Sequence, residues 1–142
     1  MAENENNLLA TLGDSVDTDD FKLASIEIVE KLKKCENPFD FVEPILKFME
    51  ANPLSDFGVP GALVHFVESF SGKGYEELLY ESVKRCPAMH TIWMVRRIIN
   101  DETFLDKQKF IELLIEARLQ NDLDEDIKSC IDEHLSEIST YY

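Results

Sequence analysis

The sequence predicts an all-α fold, a single domain of about seven helices arranged as an irregular bundle or a small solenoid of antiparallel helix pairs. Apolar residues return at steps of three and four along most of the chain. Only five glycines and five prolines occur in 142 residues, and no alternating strand-like run is bounded by hairpin turns. One domain is expected over residues 1–142, with residues 1–18 as a short helix or a frayed end.

The first two helices are expected on either side of Asn37-Pro38, because this pair breaks a helix. One covers about residues 19–36, and its predicted apolar face consists of Phe21, Leu23, Ala24, Ile26, Ile28, Val29 and Leu32. The other covers about residues 39–51. Pro44 fits there only in the first turn or at a kink, since proline has no N–H to donate.

The stretch from Asp56 to Asn100 is the part around which the rest is organised. Three helices are expected in it, over about residues 60–70, 75–85 and 89–100. Pro60 suits a first helical turn, whereas Gly72 and Gly74 suit the left-handed end of a helix. The third helix is apolar nearly all round, through Ile92, Trp93, Met94, Val95, Ile98 and Ile99. A helix of that kind is a buried one, so we place it at the centre of the core.

The last two helices are expected after the polar connection 101–106, to about Leu119, and from about Asp124 to Ser139. The apolar positions of the first are Phe110, Ile111, Leu113, Leu114, Ile115 and Leu119. Those of the second form one stripe, Ile127, Cys130, Ile131, Leu135 and Ile138. The polar residues before each helix are suited to capping its first turn.

The net charge of −15 decides which partners are favoured. Binding to phosphate groups needs clustered Lys and Arg, so nucleic acid is not expected as a direct partner, and neither is an anionic membrane. An acidic protein instead attracts a basic partner and speeds their encounter. Solubility alone is the competing explanation of the charge.

The chain carries no apolar run long enough for a membrane span, and its acidic N-terminal region is unlike a secretory signal. We therefore expect a cytoplasmic protein. Cys35, Cys86 and Cys130 are odd in number and far apart, which is typical of free thiols in a reducing compartment.

No motif predicts a catalytic site, a metal or a cofactor. His65 and His90 lack a Cys, Asp or second His at metal-ligand spacing and are interpreted as packed or capping residues. A Cys–His nucleophile pair has no positive support but stays open. Asp122, Asp124, Asp126 and Glu133 imitate the ligands of a calcium loop. Ile127 occupies the place of the glycine that such a loop requires, so a solvated helix start is the better interpretation.

Three further side chains have a binding and a structural interpretation. Arg96 and Arg97 resemble a phosphate clamp, but one of them is expected to reach a carboxylate or a helix end inside the fold. Trp93 resembles a binding anchor, yet its apolar neighbours favour core packing.

Acidic residues concentrate towards both ends of the chain, whereas the centre is nearly balanced in charge. If the chain has a docking face, carboxylates from one or both ends are expected to line it; a generally solvated surface is the alternative. The candidate partner-binding residues are Asp14, Asp17, Asp19, Asp20, Asp56, Glu68, Tyr75, Glu76, Asp122, Asp124, Glu125 and Asp126.

The central stretch resembles the all-helical immunity proteins of bacterial polymorphic-toxin systems, including contact-dependent growth inhibition. The residues that carry the resemblance are Asp56, Gly58, Pro60-Gly61, Val64-His65, Glu68, Gly74-Tyr75, Leu78, Ser82, Arg85, Pro87, His90-Thr91, Trp93-Met94, Arg97-Ile98-Ile99 and Asn100. They follow the pattern D-x-G-x-P-G…V-H…E and R-x-P…T-x-W-M…R-I-I-N over about a third of the chain. Cys86 and Arg96 depart from the usual choices at their positions.

The resemblance implies a cytoplasmic antitoxin, a monomer that binds one cognate toxin domain in a 1:1 complex and blocks it. Such domains are often nucleases and hence basic, so acidic side chains would pair with the Lys and Arg that hold RNA or DNA phosphates. Two alternatives remain: a helical-repeat adaptor without a toxin partner, and a small enzyme that uses His65, His90 or Cys86.

Overall fold

The computed structural model describes residues 12–13, 16, 18–55, 61–101, 103–104 and 106–141. Seven α-helices lie within these residues, and no strand does. The helices are α1 (Phe21–Lys33), α2 (Val42–Ala51), α3 (Ala62–Glu68), α4 (Tyr75–Arg85), α5 (Met89–Asn100), α6 (Lys107–Arg118) and α7 (Glu125–Tyr141). A 3-10 turn, Pro38–Phe41, leads into α2. The predicted all-α class is confirmed.

Helix α5 lies at the centre of the core, as its sequence predicts. It packs against α2, α4, α6 and α7, whereas α1 packs on α3 and on the 3-10 turn. Five of its apolar side chains are buried, namely Ile92, Met94, Val95, Ile98 and Ile99. Because α5 contacts four helices, its apolar surface is covered on most sides.

The predicted ends of the two helices at the centre, α4 and α5, match the structure. Gly74 has a φ of 107°, a left-handed conformation that glycine adopts readily, and α4 begins directly after it. Elsewhere the ends differ. Helix α1 ends at Lys33, before the predicted residue 36, and the 3-10 turn replaces the predicted first turn of α2. Pro44 consequently sits in the first turn of α2, where its missing N–H is tolerated.

The predicted apolar faces of α1 and α6 were too wide. On α1, Leu23 is 62 % exposed and Ile26 is 43 % exposed. Ile115 on α6 and Leu119, which follows the last residue of α6, are exposed as well. At about 100° per residue, Leu23 and Ile26 lie about 140–200° round the helix from Phe21, which is buried. Each helix is covered along one stripe only, so apolar residues on its far side stay in solvent.

All four arginines of the chain form ion pairs that join two helices. The four pairs are Arg85 with Glu50, Arg96 with Glu137, Arg97 with Glu68, and Arg118 with Asp132. Lys109 adds a fifth bridge, because its Nζ lies 3.2 Å from a carboxylate oxygen of Glu77 and 4.5 Å from the ring centre of Tyr80.

The most enclosed of these carboxylates belongs to Glu50 on α2, whose side chain is 10 % exposed. It accepts two hydrogen bonds from Arg85, at 2.8 and 2.6 Å, and one from the hydroxyl of Ser82 at 2.8 Å. A bidentate guanidinium–carboxylate pair fixes geometry as well as charge. Glu50 therefore sets the position of α4 on α2.

We expect Glu50→Ala to lower the free energy of unfolding by about 1–3 kcal/mol, because the buried Ser82 hydroxyl loses its acceptor. The matched control is Glu43→Ala on the same helix, which removes an exposed pair with Lys47 and should change stability by less than about 1 kcal/mol. Urea unfolding followed by circular dichroism measures both. Equal losses in the two variants would contradict a structural role for Glu50.

Candidate functional site

Of the acidic candidates up to residue 56, Asp14, Asp17 and Asp56 lie outside the described residues. Asp19 and Asp20 are exposed in the turn that precedes α1. The backbone N–H of Asp20 donates to the Thr18 hydroxyl at 3.3 Å, so this turn is held by local contacts. Both carboxylates are accessible at the start of α1, a helix that packs on α3 and the 3-10 turn.

Three central candidates are engaged inside the fold. The Glu68 carboxylate accepts a hydrogen bond from Nε of Arg97 at 2.8 Å. Tyr75 is 1 % exposed, and burial raises the pKa of its hydroxyl. Glu76 accepts the backbone N–H of Gly72 at 2.9 Å and holds the turn before α4. Tyr75 is thus corrected from a binding residue to a core residue, because its side chain does not reach the surface.

The remaining candidates form one exposed acidic turn between α6 and α7: Asp122, Asp124, Glu125 and Asp126. We call these four residues the acidic turn. Asp124 caps α7, since its carboxylate accepts the backbone N–H of Asp126 at 2.8 Å. Lys128 lies 3.5 Å from Glu125, whose side chain is 88 % exposed. The first turn of α7 is therefore exposed to solvent and capped by Asp124, as the sequence predicts.

A groove of about 700 Å³ opens on one side of this turn, between α5, α7 and the connection after α2. We call it the Met89 groove. It is lined by Leu54, Ser55, Met89, His90, Trp93, Asp126, Ser129, Cys130, Glu133 and His134. The backbone N–H of Met89 donates to the Pro53 carbonyl at 2.9 Å and so holds the connection over the start of α5. That bond places Leu54 beside Met89, and both are partly exposed.

A second groove, of about 490 Å³, opens on the other side of the acidic turn. We call it the Pro87 groove. Its lining comprises Pro53, Arg85, Cys86, Pro87, Gln120, Asn121, Asp122, Leu123, Asp124 and Ile127. The connection after α2 borders both grooves, through Pro53 in one and Leu54 in the other. Of the acidic turn, Asp122 and Asp124 line the Pro87 groove and Asp126 lines the Met89 groove. The acidic turn therefore forms a ridge between two depressions.

A polar network fixes the α7 wall of the Met89 groove. Nη1 of Arg96 lies 3.1 Å from Nδ1 of His134 and also contacts the Glu137 carboxylate. Because the guanidinium can only donate, Nδ1 accepts and the imidazole is neutral. Burial and the charge of Arg96 lower the pKa of His134, in agreement with this assignment. Arg96 lowers the pKa of Glu137 through its hydrogen bond.

The Met89 groove contains a cysteine and two histidines, Cys130, His90 and His134, which are the side-chain types of a cysteine-nucleophile site. The pKa of the cysteine is not lowered as such a site requires. Burial, with a smaller contribution from Glu133, raises the pKa of the Cys130 thiol to about 11. A cysteine nucleophile needs a lowered pKa, and the shift at Cys130 has the opposite direction. Cys86 likewise has a raised pKa, chiefly through burial.

The expected structural role is confirmed for Arg96 and Arg97 but only in part for Trp93. Both Arg96 and Arg97 reach carboxylates, which confirms the internal role and extends it to the second arginine. Trp93 is only half-buried and lines the groove, so it is not the pure core residue expected. Arg97 lies 5.4 Å from its ring centre, and His90 meets its edge at 6.2 Å between centroids.

Sequence reasoning missed Leu54, Met89 and Glu133 as surface residues of a groove. Leu54 follows the helix-ending pair Asn52-Pro53, and an apolar side chain in such a turn was the available signal. Met89 had no signal of its own, because it begins a helix that is otherwise buried. The connection after α2 brings Leu54 to the start of α5, and the packing of α7 on α5 adds Glu133.

Among the described residues, no group of three or more His, Cys, Asp or Glu side chains is arranged to hold a metal ion. None of the helices described is both long and apolar enough for a membrane span. No family model matches the chain, and neither a curated protein nor a solved structure does.

We expect Cys130 to react with iodoacetamide far more slowly in the native protein at pH 8 than in urea. A pKa of about 11 leaves roughly a hundredfold less thiolate than an ordinary cysteine has. Peptide mass mapping at several times measures each cysteine separately, and the urea-unfolded chain is the control. Equal rates for Cys130 in the two samples would contradict the protected thiol.

The lowered pKa of His134 predicts a pH dependence of stability. Below pH about 6.5 the unfolded chain takes up a proton that the folded chain excludes, so stability falls as pH falls. His134→Gln should remove this part of the loss between pH 7.5 and 5.5, at most about 1.4 kcal/mol per pH unit. Urea unfolding at each pH measures it, with His65→Gln on the exposed side of α3 as control. Identical pH profiles for H134Q and the native chain would refute the assignment.

Proposed function

We propose that the chain is an immunity protein that binds one basic toxin domain, of nuclease type, and neutralises it by acidic occlusion of its active site. The observation that carries the proposal is the acidic turn, four exposed carboxylates that stand between two grooves. An acidic ridge is complementary in charge to a basic partner, and the partly apolar depressions beside it can receive apolar side chains of that partner. The toxin class comes from the resemblance of the central stretch to immunity proteins.

The distribution of charge supports a basic partner. The four arginines are paired with carboxylates between helices, so the most effective phosphate-binding side chains of the chain serve the fold. The net charge of −15 adds a field that repels nucleic acid and attracts a basic protein. The same field accelerates encounter with that protein at low salt.

Occlusion follows from the chemistry of a nuclease surface. Such an enzyme holds phosphate groups with Lys and Arg, and a carboxylate can take the place of a phosphate on these cations. Asp122 and Asp126 lie on opposite sides of the ridge, each at one groove. Together they would cover a cationic surface while the grooves receive neighbouring side chains of the toxin.

The test is co-expression with the C-terminal domain of the protein encoded directly upstream, followed by a growth assay and a pull-down. We expect the native chain to restore growth and to form a 1:1 complex. Asp122→Lys with Asp126→Lys should weaken the complex at least tenfold, because two attractive contacts become repulsive. Asp124 is left unchanged, since it caps α7.

The matched control is Glu27→Lys with Glu36→Lys, which alters the net charge equally at exposed positions in and just after α1. It should protect like the native chain. Protection lost equally in both double variants would indicate a general effect of charge and contradict the assigned face. A native chain that neither binds nor protects would overturn the immunity function and favour the adaptor. Circular dichroism establishes that every variant is folded.

A further inference from the structure

The Met89 groove, with a volume of about 700 Å³, has room for an anchoring side chain together with its neighbours. Its apolar lining comes from Leu54, Met89 and Trp93, of which Leu54 is 45 % and Met89 is 39 % exposed. Exposed apolar side chains that converge on a depression mark a binding site more reliably than scattered ones do. Large anchors in such pockets carry most of the binding energy of protein interfaces.

The rim of the same groove is acidic. Asp126 and Glu133 are both exposed on α7 and both line it. The nearby cations Arg96 and Arg97 pair with Glu137 and Glu68 and not with these two carboxylates. A ligand that buries an apolar group here therefore meets two carboxylates beside it, and positive charge on the ligand is favoured.

The walls are in place before anything binds. Arg97 covers one face of Trp93, the Arg96–His134 contact fixes α7 against α5, and the Pro53–Met89 hydrogen bond holds Leu54 in position. An ordered pocket loses less entropy on binding than a mobile one. The groove is thus suited to specific recognition of a short element.

We infer that the Met89 groove is a docking site for a protein segment in which an aromatic or large aliphatic side chain is flanked by Lys or Arg. The apolar side chain fills the space between Leu54, Met89 and Trp93. The flanking cation pairs with Asp126 or Glu133. This inference deepens the proposed function and rests on it only for the claim that the segment belongs to a toxin domain.

The experiment selects from a phage-displayed library of random 12-residue peptides with the purified full chain, and then measures synthetic copies of the winners by fluorescence anisotropy. We expect the selected peptides to combine Trp, Phe or Leu with a neighbouring Lys or Arg. Leu54→Ser with Met89→Ser should weaken their binding at least tenfold. Asp126→Asn with Glu133→Gln should weaken it as well and should flatten its salt dependence.

Matched controls come from α6, which offers the same kinds of exposed residue. Ile115→Ser with Leu119→Ser removes two exposed apolar side chains, and Glu112→Gln with Glu116→Gln removes two exposed charges. Both control variants should bind the peptides like the native chain. Winners that lack basic residues, winners that bind L54S/M89S unchanged, or a selection without winners would each overturn the inference. So would a dimer of the native chain that L54S/M89S dissociates.

The two proposals fail in different ways. A toxin domain neutralised equally well by the native chain and by L54S/M89S would overturn the groove and leave the immunity function standing. If peptides with apolar and basic residues bind the groove but the chain does not protect against the toxin, the docking site would stand and the immunity function would be overturned. A toxin complex weakened by L54S/M89S but not by the α6 controls would support both.

Discussion

The burial of α5 is the constraint on which the rest of the structure depends. This helix packs against four others, so its side chains decide the distances among them. Its two adjacent arginines leave the core towards different neighbours, Arg97 to Glu68 on α3 and Arg96 to Glu137 on α7. The two ion pairs therefore join α5 to α3 and α7, in addition to its apolar packing against α2, α4, α6 and α7.

This way of holding the fold has a consequence for its surface. Inter-helix ion pairs engage every arginine and place it against a carboxylate of the same chain. Such partly exposed pairs contribute modestly to stability, but they remove the cations that could neutralise other acidic groups. The surplus of carboxylates then lies at exposed positions such as the acidic turn. The same pairing of arginines with carboxylates thus joins the helices and leaves the excess of negative charge on the surface.

Sequence reasoning reached the fold class and the ends of α4 and α5, because Gly74 and Pro87 break the chain beside an unambiguous apolar pattern. It failed on the faces of α1 and α6, since which stripe of a helix is covered depends on its neighbours and not on its own residues. Charge density alone identified the acidic turn. The Met89 groove could not be predicted from the sequence, because it depends on a backbone hydrogen bond that joins the connection after α2 to the start of α5.

The groove and the core respond differently to substitution, and this separates binding from folding. Arg96, His134 and Trp93 serve both, because they position helices while they shape a wall of the groove. Leu54 and Met89 lie at its mouth and are substantially exposed, so shortening them removes contact area for a ligand at little expense to the core. Asp126 and Glu133 act through charge at the rim. The residues that a partner would contact are thus those whose loss the fold tolerates best, which is the arrangement expected where recognition evolves on a scaffold that must stay intact.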